Sequence, residues 1–506
     1  MHDVVIVGGG PVGLFLAGEL ALGGCSVLVL ERQAEPHSPW RRFPLGLRGL
    51  NAGSVEAFYR RGMLAELLAA SGGRDEVGAD LDAERAPAPR SVSHFAGIML
   101  DAAKVDLAAL PPRLPSPAVD GMLTSLDAVE SVLAARAIEL GVELRRGVEV
   151  TGLTQHDETV VVHAGEQEYQ GLWVVGCDGG RSTVRRLAGF AFTGTEPALT
   201  GYLFTGAVTG REKLGPGFTV TPTGMYLRMP AGGYLGMMDF DGGAFDRSQP
   251  LTPEHLQTVL RRVSGTDVTV DEVDLASSFT DRAMQATTYR QGRVLLAGDA
   301  AHIHSPLGGQ GLNLGIGDAL NLGWKLAATV HGTAPDGLLD TYTAERHPIG
   351  ARVLDWSRAQ VAVMRPDRYA PSLQSLIGDL LATADATTYV WERTSGLANR
   401  YDLGDDQPLT GRNAPDLRLG TGTLLGTLLQ SGRGVLLDFS ADQVLHEAAT
   451  GWTDRIDYVA GPARDDLGHG AVLVRPDGVV AWADGRSPDS DAFDRAARRW
   501  FGDPKA

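Results

Sequence analysis

The chain has 506 residues, 43% of them hydrophobic, and a formal net charge of −17. That length accommodates about three domains at ~150 residues each, and the apolar content supports a full globular core. The acidity argues against a nucleic-acid partner and an anionic membrane surface, and solubility is its simplest role.

The first element is a βαβ unit. Val4–Val7 is a short apolar run of the kind buried on both faces of a parallel sheet. Gly8, Gly10 and Gly13 follow in the spacing G-x-G-x-x-G, then an apolar helical stretch from Pro11 to about Leu22. A second β-rich run, Ser26 to Leu30, ends on Glu31, 31 − 8 = 23 residues after the first glycine. Gly8 suits a tight turn, Gly10 lets a pyrophosphate approach the backbone, and Gly13 lets helix and sheet pack closely. The helix start offers free N–H groups, and an acid about 20 residues on suits a ribose hydroxyl. A glycine-rich turn without a ligand would not require the second strand to end in a carboxylate.

Cys25 and Cys177 flank expected core strands and form no Cys-x-x-Cys, so buried free thiols in a reducing cytosol are expected. The N-terminus enters a strand without a basic segment, so no signal peptide is expected. Glycines and Glu19 break the apolar stretch 4–30, which excludes a membrane span there.

Next comes a loop carrying Arg41, Arg42 and Arg48, then a helix near Ser54–Tyr59 with Ser54 as its cap. Residues 71–92 read as a polar, Pro-rich loop. Asp127 opens a periodic helix, with Glu130 three residues later as in a capping box, and Gly141 closes it. Short strands are expected at Val142–Arg145, Val148–Leu153 and Val160–His163. A buried strand then runs into Cys177-Asp-Gly-Gly-Arg-Ser-Thr-Val-Arg185. Asp178 there can bind a ligand or cap the next helix, and the residues alone favour the cap.

From Gly201 to about Phe279 the runs alternate, as in an antiparallel sheet interrupted by one helix, Pro253–Val263. Tyr226, Arg228, Met237 and Asp239 could floor a pocket there; a plain core face is an equal reading for any one of them. Arg293–Asn313 is a buried strand, Asp299, a Pro/Gly loop and a long helix to about His331. Gly308-Gly-Gln-Gly311 is a second helix start able to face an acceptor. His302 and His304 lack ligand partners at metal spacing apart from Asp299, so structural histidines are expected and no metal. Helices fill 338–398. The last ~95 residues, with a hairpin turning at Pro476-Asp477-Gly478 and a helix Ser490–Trp500, read as a small α/β domain.

Taken together, GGGPVG with Glu31, CDGGRSTVR and LAGDAAHIHSPLGGQGLN resemble the group A flavoprotein aromatic hydroxylases. The match is best with the branch acting on aromatic polyketides and antibiotics, which carries a thioredoxin-like tail. The resemblance implies an α/β fold: a Rossmann-like FAD-binding domain (1–75, 101–195, 286–405), an antiparallel-sheet substrate domain (76–100, 196–285) and a thioredoxin-like domain without Cys-x-x-Cys (406–506). It implies that FAD is held by Gly8, Gly10, Pro11, Val12, Gly13, Glu31, Arg32, Arg48 and Val150, by Asp178 and Arg181, and by Asp299, Pro306, Gly309, Gly311, Leu312 and Asn313.

The implied chemistry is hydroxylation through a flavin C4a-hydroperoxide. NAD(P)H serves as a transient co-substrate, because only one dinucleotide fingerprint exists. The implied partners are O2 and a small aromatic or polyketide substrate, on a cytoplasmic monomer or homodimer. Gly53 stands where the family usually has an Arg, and Leu126 and Ala128 where it has a Gln and an Arg. Arg48 is expected to substitute for the first. The catalytic residue is unknown. The alternative function is a cyclase of polyketide biosynthesis in which FAD is structural. The glycines and methionines of the sheet suit a bulky, multi-ring ligand better than a single phenol.

Overall fold

The computed structural model describes residues 1–72, 93–111, 113–118, 120–230, 233–440, 443–465 and 467–505. Most of the loop expected at 71–92 therefore lies outside the described residues.

Five parallel strands form the centre, in the order Val294–Leu296, Gln167–Gly176, His2–Val7, Val27–Glu31, Glu143–Arg146. Val4, Val5 and Ile6 have no exposed surface, so the first strand is buried on both faces as its apolar run requires. Burial of such side chains contributes roughly 1.5–3 kcal/mol each. Two helices, Pro11–Leu22 and Gln310–Val330, pack against each other beside this sheet. Val12 seats between Gly298 and Gly315: a Cβ at Gly315 would stand 2.4 Å from a Val12 methyl.

Three local expectations change. The helix expected from Ser54 is Ala52–Tyr59, capped by Asn51, whose side chain accepts from the Ser54 N–H at 3.0 Å. The helix expected to open at Asp127 is Leu126–Glu139, capped by Ser125, which accepts from the Ala128 N–H. Glu130 forms no capping box, because Arg41 takes its carboxylate at 2.7 Å. The strand expected at Val148–Leu153 is Gly152–Gln155, and Val148 and Val150 instead wall a groove at the edge of the sheet.

The second layer is a five-stranded antiparallel sheet in the order Gly217–Thr221, Gly224–Arg228, Leu235–Asp239, Thr200–Thr205, Leu275–Thr280. The amphipathic helix Pro253–Ser264 covers one face through Leu256, Val259, Leu260 and Val263. The hairpin His94–Met99 packs on the other face, with Ala96 against Met225 and Met238.

The tail carries a four-stranded sheet in the order Ile456–Ala460, Gly434–Asp438, Ala471–Val474, Val480–Asp484, flanked by Gln443–Ala449 and Ser490–Phe501. Its core is continuous with Leu314 and Trp324 of Gln310–Val330 and Ile349 of the helix Thr341–Met364. Arg475, with no exposed surface, donates to both oxygens of Glu345 at 2.8 Å, and Lys325 donates to the same carboxylate at 2.8 Å. Burial alone would raise the Glu345 carboxyl, but Arg475 and Lys325 hold it well below the usual carboxylate range. Both cysteines are free; Cys25 is buried, Cys177 half-buried, and burial pushes the Cys25 thiol up to about 12. Among the described residues no helix is long and apolar enough to cross a membrane.

Candidate functional site

At the carboxyl ends of the first, second and Gln167–Gly176 strands lies a groove of about 420 Å³. Open α/β sheets bind ligands at this place. Its glycines divide into two kinds. Gly8 has φ +109°, and a Cβ there would stand 2.4 Å from the Cys177 carbonyl oxygen; one at Gly13 would stand 2.0 Å from the Gly8 carbonyl. These two are required by packing. Gly10 meets nothing within 4 Å and sits at the start of Pro11–Leu22, so its open side is free for a phosphate. The side chain of Val12 turns inward, which leaves only its backbone at the helix start.

Glu31 is buried at the groove wall. Its Oε2 accepts from the Gly9 N–H at 2.7 Å and its Oε1 from the Gln33 N–H at 2.8 Å. It therefore orders the glycine turn as well as facing the groove. Arg32, Arg41, Val150 and Arg181 complete the lining. The Arg41–Glu130 pair is a feature that sequence reading missed; burial pushes the Glu130 carboxyl up to about 7 although Arg41 opposes it.

The next helix, Thr183–Leu187, is capped by Ser182, which accepts from the Arg185 N–H at 3.0 Å, and Asp178 braces that cap rather than being it. Asp178 accepts from the Ser182 hydroxyl at 2.5 Å and from the Thr183 and Val184 N–H groups at 2.6 and 3.1 Å. Arg185 stitches this loop to the Gly-Asp segment, donating to the Gly180 and Ala300 carbonyls at 2.9 Å each.

The Gly-Asp segment leads into Gln310–Val330 through Gly308 and Gly309, both with φ above +60°. Gly309 meets nothing within 4 Å of a built Cβ, a second open cradle at a helix start. Asp299 is exposed and accepts no hydrogen bond from the described residues, while Pro306 is exposed and its carbonyl accepts from Gly309. Asn313 braces the site: it accepts from the Asn51 N–H at 2.9 Å and donates to the Gly49 and Gly309 carbonyls. Leu312 packs on the core. A pocket of about 280 Å³ opens here, walled by Gly49–Ala52, Gly308, Gly309, Asn313 and Trp391.

His302 bonds Asp318 at 2.7 Å, and Asp318 also accepts from the Gly298 N–H, so this histidine holds the segment in place. His304 Nδ1 donates to the Ser305 carbonyl, and burial holds the ring below the usual histidine range. Its Nε2 has no hydrogen-bond partner among the described residues and lies 3.4 Å from a Cβ built on Gly311. Among the described residues no group of three or more His, Cys, Asp or Glu could hold a metal.

Two sequence expectations need correction. Arg48 does not reach the space beside Gly53. Its guanidinium turns back on the Leu45 and Leu47 carbonyls, burial pulls it below the usual range, and Tyr234, Glu130 and Asp299 surround it. Arg393 and Asn399 bound the Gly53 space instead. Tyr226, Arg228, Met237 and Asp239 all lie on the sheet face covered by Pro253–Ser264. Tyr226 and Met237 pack in its core, Asp239 ion-pairs with Arg262 of that helix, and Arg228 donates to the Gly215 carbonyl. Alternation defines two faces but cannot say which one the helix takes. The opposite face carries two rows across the strands. Val220, Met225, Met238, Gly201 and Phe279 form one, whose methionines pack with Leu307 and Met364. Phe218, Leu227, Gly236, Leu203 and Ser277 form the next.

The free cradles fit an FAD: two helix starts with space in place of a Cβ, an acid at the second strand's end, and an unbonded Asp299. Residues 1–357 match the FAD binding domain family and residues 407–504 the aromatic-ring hydroxylase C-terminal family. The chain belongs to the group A flavoprotein monooxygenases that these two domains define. It is 45% identical, over 99% of its length and 97% of the relative's, to a monooxygenase of Claviceps purpurea. It is 40% identical to the 12-dehydrotetracycline 5-monooxygenase/anhydrotetracycline 6-monooxygenase of Streptomyces rimosus, over 99% of each chain. The solved structure of OxyS anhydrotetracycline hydroxylase from Streptomyces rimosus superposes with a TM-score of 0.84, at 37% identity and 99% coverage of each chain.

Proposed function

We propose that the protein is an FAD-dependent monooxygenase that hydroxylates a bulky aromatic or polyketide natural product with NAD(P)H and O2. The observation that carries this is the pair of open glycine cradles, Gly10 and Gly309, at the starts of two helices that pack side by side. One suits the pyrophosphate of the cofactor, the other its flavin end. FAD, when bound and reduced by NAD(P)H, supplies the oxygen activation that hydroxylates an electron-rich ring.

The chain's own residues do the rest. The start of Gln310–Val330 presents N–H groups and a positive dipole end that would favour the negative charge of a reduced flavin held there. Asp299 and the Glu31-ordered turn offer acceptors to sugar hydroxyls. Burial disfavours the charged form of His304, whose Nε2 lies beside Gly311. The row Leu227, Gly236 and Leu203 is the proposed floor of the substrate site, in place of Tyr226, Arg228, Met237 and Asp239. A Cβ at Gly236 would stand 3.1 Å from a Leu203 methyl and 3.4 Å from the Leu227 Cβ, so the two leucines close over the glycine into an apolar floor.

The same reading takes the six-segment division at 75, 100, 195, 285 and 405, a cytoplasmic location, and a monomer or homodimer. The separate sheets support the division, and the free thiols agree with the location. Absorbance titration of the purified flavoprotein tests the substrate class. Tetracyclic polyketides should perturb the flavin spectrum and stimulate NAD(P)H consumption. Tight binding and fast coupled turnover of simple monocyclic phenols, with no effect of polycyclic compounds, would contradict it.

A further inference from the structure

The helix Ala370–Leu381, which follows Thr341–Met364 and packs back on it, carries two adjacent seams and buries only one. Ala370, Gln374, Ile377 and Leu381 form the inner seam, at steps of four, three and four residues. Leu381 clusters with Leu100 and Val390, Ile377 packs on that cluster, and the Gln374 amide donates to the Val363 carbonyl at 3.1 Å. One residue earlier at each step stands an outer seam, Tyr369, Leu373, Leu376 and Leu380, whose members are 62, 43, 56 and 51% exposed. Single exposed apolar residues need no explanation. Four of them at alternating steps of four and three have the pattern with which one helix packs along another.

The charges at the ends of the seam select the second helix. Arg365 and Arg368 are exposed before its start, Asp379 and Asp385 toward its end. None of the four forms an ion pair among the described residues; Arg368 lies over the Tyr369 ring, 4.5 Å from its centroid. Asp367 accepts from the Tyr369 N–H at 2.8 Å, and Lys104 donates to the Ala382 carbonyl at 2.7 Å. With these two included, the start is still net positive and the end net negative. A second copy of the helix, laid antiparallel across a two-fold axis, sets Tyr369 on Leu380 of the other copy and Leu373 on its Leu376, each contact occurring twice. The same register brings Arg368 to Asp379 and Arg365 to Asp385 of the other copy. Exposed Ser372 and Ser375 flank the seam and allow close approach. A membrane surface suits the helix less, because no Lys or Arg stands within Ala370–Leu381 and the net charge of −17 opposes anionic lipid.

We propose that this outer seam is the contact of a homodimer, in which two antiparallel copies of Ala370–Leu381 meet through Tyr369, Leu373, Leu376 and Leu380 and are set in register by Arg368 and Asp379. The inference selects the homodimer from the two states proposed, and it rests on the seam rather than on the reaction. One helix per copy covers less than the ~800 Å² per partner of a standard interface, so the dimer is weak and reversible.

Sedimentation equilibrium of the FAD-loaded protein tests it. The expected result is a monomer–dimer equilibrium with a Kd on the order of 10–100 μM. Leu376→Glu should leave only monomer. Asp379→Arg makes the chain less acidic, so a non-specific association would strengthen; the paired ends predict that it weakens roughly fivefold, as does Arg368→Glu. The double variant Arg368→Glu/Asp379→Arg should return to within about twofold of the parent. Melting temperature and FAD content check that each variant is folded, and Leu376→Ser replaces Leu376→Glu if that chain does not fold. The inference is overturned if the parent stays monomeric up to about 500 μM, if Leu376→Glu associates as the parent does, if Asp379→Arg strengthens association, or if the double variant is not restored. It is also overturned if the parent is monomeric and sediments with phosphatidylcholine vesicles, which would give the seam to a membrane.

Discussion

At the seam that holds the tail, Arg475 is fully buried and donates to both oxygens of Glu345 and to Asp477. Arg61 bonds both oxygens of Glu19 and the Pro476 carbonyl in the same seam. At the cofactor groove, Gly10 faces open space and Asp299 accepts nothing from the described residues. The seam spends its polar groups on one another, so they contribute to a fixed docking. The groove leaves acceptors and N–H groups unmatched, which is what a polar ligand requires. The contrast predicts which substitutions unfold the protein and which only empty it.

The largest effect is expected at the seam. Arg475→Ala strands the Glu345 carboxylate in a buried site, and breaking such a pair costs roughly 3–5 kcal/mol. Thermal unfolding should show a large drop in melting temperature; a shift of a degree or less would mean that the seam carries little. Gly8→Ala comes next, because its Cβ meets the Cys177 backbone and its φ is +109°. Gly10→Ala is its control. Apoprotein stability should stay within ~0.5 kcal/mol, while FAD affinity falls roughly tenfold or more. If Gly10→Ala binds FAD like the parent, the cradle is misplaced.

Glu31→Ala and Asp299→Ala sharpen the contrast further. Each loses a charge-assisted hydrogen bond to the cofactor worth ~1.5–3 kcal/mol. Only Glu31→Ala should also destabilise the apoprotein, since Glu31 holds Gly9 and Gln33. Equal apoprotein stability in the two variants, measured by denaturant titration, would remove that distinction. The smallest effect is in pH. Burial pushes the folded Glu130 carboxyl up to about 7, whereas the unfolded group releases its proton near its ordinary value of 4.5. Between these values the folded state binds more protons, so stability should fall as pH rises through that window. Glu130→Gln should remove this slope, and an unchanged slope would assign it elsewhere.

How much was legible in advance depends on the range of the interaction. The βαβ unit, the Asp178 bonds to Ser182, Thr183 and Val184 and the helix start at Gly309–Gly311 are set by neighbours a few residues away, and local pattern reveals them. The strands Gly217–Thr221, Gly224–Arg228 and Leu235–Asp239 were legible as alternation. Which face the helix Pro253–Ser264 covers was not, because the packing of Tyr226 and Met237 settles it only in the folded chain. The caps slipped to Asn51 and Ser125 for a similar reason. Several residues able to cap stand together in each stretch, and chain geometry selects one. Trp391 gave no sequence signal, since the surfaces that bring it to the pocket beside Gly308 and Gly309 join only in the folded chain. The Arg41–Glu130 pair spans 89 residues and was equally silent.

The central claim is that the groove holds an FAD that turns over. Its most direct test is to add NADH or NADPH to the purified yellow protein without oxygen, then admit isotopically labelled O2 with a tetracyclic polyketide. The account predicts bleaching of the flavin band that the polyketide accelerates, reoxidation on admitting oxygen, and one labelled oxygen atom in the product. Conversion of the polyketide with no bleaching by either nucleotide and no label in the product would contradict it, and would leave FAD a structural part of a cyclising protein.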